Sequence, residues 1–137
     1  MSFTETTLRL THRAALAMLE AAVARAEQLR QPQCIVIVDA SGETIAQLRM
    51  NGAKFLSLRS ARSKARTAAS IGQPSAAIPE DVGLLVAAAT GGEATCLEGG
   101  FPIVAKGVLI GGVGVGSGSP AQDAEVAKAA LSALAAA

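Results

Sequence analysis

Apolar residues in the amino-terminal third recur with a helical period: Leu16, Leu19, Val23 and Ala26 share one face, while Arg13, Glu20, Arg25 and Glu27 take the others. Thr11 stands where its hydroxyl can cap the first free amides and Pro32 cannot continue a helix, so the pattern predicts a helix from Thr11 to about Arg30. The period then changes. Cys34-Ile-Val-Ile-Val38 is an unbroken, mostly β-branched run, Asp39-Ala-Ser-Gly42 reads as a turn, and Glu43 to Met50 follows at hairpin distance, which predicts an antiparallel pair. Asn51-Gly52 breaks the second strand. Phe55 to Ala69 returns to helical spacing, with Lys54, Arg59, Arg62, Lys64 and Arg66 making a basic face, and Gly72 and Pro74 end it. From Ser75 to Ala89 the spacing suggests one or two helical turns interrupted by Pro79, although periodicity alone also admits a strand over Leu84 to Ala88. Thr95 to Glu98, Phe101 to Lys106 and Val108 to Val115 predict three further strands, the last two joined through Lys106-Gly107. Ser119-Pro-Ala-Gln122 has the spacing of a capping box, with Pro120 at the helix position that needs no N–H, and an alanine-rich helix follows. This order predicts an α/β (α+β) fold, one five-stranded antiparallel sheet with helices packed on it, over residues 1–137 as a single domain.

Composition narrows the partners. Twelve basic and eleven acidic residues are interspersed for a net charge of +1, so no footprint for nucleic acid or an anionic membrane is present. No apolar run approaches a bilayer span and Met1 to Leu10 lacks a signal design, so the expected location is the cytoplasm. Cys34 and Cys96 lack CxxC spacing and read as two reduced thiols. Half of the residues are apolar, yet Trp and Tyr are absent and Phe occurs only at positions 3, 55 and 101. A core of such small side chains packs closely but contributes little area per residue, at about 25 cal/mol per Å² of apolar burial, so contacts between subunits are an expected further source of stability.

Three stretches resemble the GlcG/HbpS-like family, to which the carboxy-terminal domain of PduO-type proteins also belongs. One is Val36-Ile-Val-Asp-Ala-Ser-Gly42 leading to Arg49-Met-Asn-Gly52, where Asn51 departs mildly from the family's Arg-Met-Asp-Gly-like loop. A second is Ser60-Ala-Arg-Ser-Lys-Ala-Arg-Thr-Ala68, similar to the family's Lys-Ala-x-Thr-Ala helix at Lys64 and Thr67. The most specific is Gly99-Gly-Phe-Pro-Ile103, then Gly107, Ile110-Gly-Gly-Val-Gly-Val115 and Ser117-Gly-Ser-Pro-Ala-Gln-Asp123. The resemblance runs from Leu10 to Leu134. It implies a profilin-like fold, homo-oligomers and, in some members, binding of haem or another tetrapyrrole. A scaffold does not carry a function by itself, so the sites have to be argued from their own residues.

Glycines 99, 100, 111, 112, 114, 116 and 118 either open a pocket to a ligand or let strands pack tightly on helices. They do not make a dinucleotide fingerprint, because the Gly-x-Gly-x-x-Gly order between strand and helix is missing. For haem the axial inventory is one histidine, two cysteines, three methionines and no tyrosine: His12 reads as a solvated residue in the first helical turn, Cys34 as a core thiol, and Met50 and Cys96 lie nearer the glycine-rich segments. The residues therefore name no cofactor, and no metal site is expected. A small-ligand-binding protein is the first reading, with Arg49, Lys64, Arg66, Thr67, Gly99, Gly100 and Phe101 as the binding set. The alternative is a cofactor-independent lyase, isomerase or hydratase acting on a small carboxylate or carbonyl compound. In it Arg49, Lys64 and Arg66 would hold the anion, a desolvated Glu98 would exchange a proton beside Lys64, and the Gly99-Gly100 amides would stabilise oxyanion charge.

Overall fold

A strand that is apolar at every position has to be covered on both faces, and the run Cys34 to Val38 is the centre of the molecule for that reason. The computed structural model describes residues 1–135. In it Cys34–Asp39 (β1) lies between Thr44–Arg49 (β2) and Val108–Gly116 (β4), with Gly100–Ala105 (β3) beyond β4, giving the antiparallel order β2-β1-β4-β3. Alternate side chains of β1 enter separate cores. Ile35 and Ile37 join Val113, Val115 and Ile103 under the helices His12–Gln28 (α1) and Pro120–Ala135 (α4), which supply Met18, Ala22, Val126 and Ala130. Cys34, Val36 and Val38 face the other way, onto Ala61, Ala65 and Ala69 of Ser57–Ile71 (α2). The result is three layers, two helices over one face of the sheet and one over the other.

The helix caps follow from local chemistry. Ala14 N donates to Thr11 Oγ1 at 3.1 Å, and the capping box closes with Gln122 N donating to Ser119 Oγ at 3.2 Å and Ser119 N to Gln122 Oε1 at 2.9 Å. The buried stripe of α1, however, is Ala15, Met18, Ala22 and Ala26, and Leu16 is exposed. The stripe shifts because small residues let α1 lie close to α4, where Arg25 also pairs with Glu125.

The sheet has four strands, not five. Thr95 to Glu98 has strand-like composition but its backbone is claimed by side chains: Thr95 N donates to Thr67 Oγ1 at 3.0 Å, and Leu97 O accepts from Ser75 Oγ at 2.6 Å. Leu84 to Ala88 belongs to a helix, Glu80–Ala89 (α3), which follows a single 3₁₀ turn at Ser75–Ala77. Among the described residues no helix is long and apolar enough to cross a membrane.

Candidate functional site

The site is built by a glycine stripe. Gly112, Gly114 and Gly116 alternate along β4 toward α2, opposite Val38, Val36 and Cys34 in the register. A Cβ on Gly114 would run into the carbonyl oxygen of Ala61, one on Gly112 into that of Ala65, and one on Gly116 would come within 3.0 Å of Ser57 O. The helix backbone therefore rests almost directly on the strand. These glycines serve packing.

That closeness brings Lys64 of α2 over the end of β4 and buries it. Lys64 Nζ donates to Val115 O at 2.7 Å and to Asp123 Oδ2 at 3.0 Å, and Asp123 Oδ1 accepts from Gly118 N at 2.9 Å. Asp123 is also buried, in the first turn of α4, so a hydrogen-bonded ion pair locks α2, β4 and α4 together. Gly99 and Gly100 make room for it. Gly99 has φ of +123°, and a Cβ there would sit 2.7 Å from Val115 O and 3.2 Å from Lys64 Cδ. On Gly100 a Cβ would meet the Lys64 carbonyl, and Gly100 N donates to Ser75 Oγ at 3.0 Å.

In front of the ion pair lies a polar depression of about 250 Å³, lined by Lys64, Asp123, Glu98 and Ser117 among others. Through Lys54, Ser57 and Ser60 it shares its wall with an apolar depression of about 620 Å³ formed by Ala53, Phe55 and Leu56. Phe55 and Leu56 are 67% and 64% exposed, although they are large apolar side chains. The loop that carries them is tied down where Lys54 N donates to Ser117 Oγ at 2.9 Å. Ser117 itself has φ of +92°. Lys54 has no carboxylate partner among the described residues.

The residues proposed from sequence are divided. Lys64 and Glu98 line this groove, with Glu98 exposed on its rim, whereas Gly99 and Gly100 are buried behind Lys64 and form no part of the lining. Arg66 and Thr67 line a separate depression of about 260 Å³, where Arg66 pairs with Glu93 at 2.5 Å and donates to Gly42 O at 3.1 Å. Thr67 is occupied in holding Thr95. Phe101 packs in the α1/α4 core, with Lys128 Nζ 5.6 Å from its ring centre. Arg49 is exposed at the end of β2, opposite Cys34. Burial pushes the Cys34 thiol up from its ordinary value and Asp123 adds to that, while the Arg49 charge opposes it.

Of the possible metal ligands, His12 is exposed on α1, Met50 Sδ accepts from Gln33 N at 3.4 Å, Cys34 Sγ donates to Lys54 O at 3.5 Å, and Cys96 is packed against Gly83. Among the described residues no group of three His, Cys, Asp or Glu could hold a metal ion. Sequence reasoning assigned no role to Asp123, Lys54, Phe55 or Leu56. Gln33 was missed as well: it is buried with both amide atoms unpartnered, and a Cβ on Gly118 would lie 2.6 Å from its Nε2.

This architecture has close counterparts. A crystal structure of protein ORFY of Klebsiella pneumoniae superposes with a TM-score of 0.95 at 26% identity, covering 100% of this chain and 98% of that one. A crystal structure of a PduOC:haem complex gives 0.86 at 30% identity, covering 92% and 95%. The corrinoid adenosyltransferase PduO of Citrobacter freundii is 35% identical over 127 residues, which cover 85% of this chain and 36% of that protein, so the chain spans about a third of that relative's length. The family model of haem-degrading, HbpS-like proteins matches residues 10–132, and the chain belongs to that family.

Proposed function

We propose that this chain is a small-ligand-binding protein that holds a flat, largely apolar molecule carrying carboxylates, of the tetrapyrrole size class, in the groove between the 53–57 loop and the start of α4. The observation that carries this reading is the apolar depression of about 620 Å³ between exposed Phe55 and Leu56, with Lys54 at its junction with the polar half. Its volume falls in the range of roughly 300–1,000 Å³ usual for ligand pockets, and the Lys54 ammonium would meet a ligand carboxylate. The haem complex of a 30% identical structural relative agrees with the ligand class. Iron coordination does not fit this groove. None of its lining residues is His, Cys, Met or Tyr, so the chain offers no ordinary axial donor there. The ligand is then held by its apolar face and its carboxylates, not through its metal.

Parallel titrations with haemin and metal-free protoporphyrin test this. Both should bind with dissociation constants within about threefold of each other, Phe55→Ser should weaken both about tenfold or more, and His12→Ala should change neither. Tight binding of haemin alone, abolished by His12→Ala, would sink the reading.

One observation supports the enzyme alternative: Glu98 and Lys64 line the same depression. Against it, Glu98 is exposed and the Lys64 ammonium is already engaged by Asp123 and Val115 O. Glu98→Gln should therefore alter ligand affinity modestly. A fall of about 10²-fold or more in turnover of a small carboxylate would favour the enzyme instead.

A further inference from the structure

Helix α3 is hard to account for within one copy of the chain. Only Gly83 of its ten residues is buried, and a helix that short is not stable in water without packing. Its exposed side is a regular stripe in which Glu80 and Asp81 stand one turn before Leu84 and Leu85, and the two leucines are 81% and 67% exposed. The mirror arrangement occurs in the turn that leads into α2. There Phe55 and Leu56 are exposed, and Arg59, one turn further on, is exposed and has no carboxylate partner among the described residues.

The two surfaces complement each other when the helices run antiparallel. Stepping back four residues from Leu85 reaches Asp81, and stepping forward four from Phe55 reaches Arg59. Leucines then lie on Phe55 and Leu56 while the acidic turn of α3 lies beside the basic turn of α2. Reversing either helix would move the charges apart. We infer that α3 of a second copy of this chain docks on the Phe55-Leu56 face of the first, supplying Leu84 and Leu85 as the missing wall of the apolar depression. The occupant is a second copy because one chain carries both the groove and a segment matched to it in polarity, charge and spacing. Such contacts have an apolar centre with charged residues at the rim, and each copy carrying both surfaces lets the assembly close as a two-fold pair or a ring. The role of the leucines as a ligand wall rests on the groove being the ligand site; the contact itself does not.

Light scattering on the full chain at tens of micromolar, with circular dichroism as the fold control, tests the contact first. The wild type should have a multiple of the 13.7 kDa subunit mass, and Leu84→Asp combined with Leu85→Asp should be monomeric. Asp81→Arg and Arg59→Asp should each weaken association about tenfold or more, and together restore it to within about threefold of wild type. A monomeric wild type, an assembly indifferent to the leucine substitutions, or single reversals that the combination fails to rescue would overturn the contact. Titration with metal-free protoporphyrin then tests the wall: affinity should fall about tenfold in the monomeric leucine variant, and unchanged affinity would overturn the shared site. If the wild type bound no porphyrin while the mass results held, the ligand reading would fail and the contact would stand.

Discussion

The two faces of the sheet are stabilised in different ways. Toward α1 and α4, β1 and β4 present Ile35, Ile37, Val113 and Val115, and the layer is stabilised by the apolar area these side chains bury. Toward α2 the same two strands present Cys34, Val36 and Val38 beside Gly112, Gly114 and Gly116, and the helix backbone takes the place of the missing side chains. The first face depends on volume, the second on close approach. Only the second forces a lysine stem to run between layers, so the buried charge and the groove both lie on the glycine side.

The largest expected effect comes from breaking the charge on that side. Lys64→Met leaves the buried Asp123 carboxylate without its cation and should cost about 3–5 kcal/mol. Since the penalty is that of an uncompensated charge, adding Asp123→Leu should recover more than half of it. Urea denaturation of the single and double variants gives both numbers. A Lys64→Met cost below about 1 kcal/mol would mean that the pair is solvated.

Next comes a matched pair of one-carbon changes across the sheet. Gly114→Ala adds a carbon where Ala61 O already sits and should cost about 1–3 kcal/mol, because backbone has to move. Ile35→Val removes one from the aliphatic face and should cost about 0.5–1.5 kcal/mol. If the two costs came in the reverse order, the α2 face would be the more compliant of the two.

What the sequence revealed divides along the same line. The Thr11 cap, the β1–β2 hairpin and the Ser119 capping box were legible because each is settled by residues within a few positions of one another. The supposed strand at Thr95 to Glu98 was misread because Thr67 and Ser75, more than twenty residues away, take its backbone groups. Lys64 was singled out through resemblance, but its partner Asp123 lies 59 residues on, and an acidic residue in a first helical turn has an ordinary local explanation. The period-two spacing of Gly112, Gly114 and Gly116 was a readable signal for one crowded strand face. Phe55 and Leu56 gave none, since exposed apolar residues look like core residues until the fold is known.

The smallest effect concerns Cys34, the one thiol on the crowded face. Burial disfavours its thiolate and raises its pKa, with Asp123 adding to the shift and Arg49 opposing it. In the unfolded chain the thiol titrates near its ordinary value of about 8.5. Between that pH and the higher native value, the unfolded state has released a proton that the folded state keeps. Stability is therefore fully present below about pH 8 and declines as pH rises, with a slope of at most about 1.4 kcal/mol per pH unit. Other groups titrate in the same range, so the informative quantity is the difference between wild type and Cys34→Val, which keeps an apolar side chain of similar size. Urea midpoints under reducing conditions should narrow or reverse that difference between pH 8 and 10, always at the wild type's expense. Parallel curves would mean that the thiol ionises as freely in the fold as outside it, and that α2 does not seal this face from water.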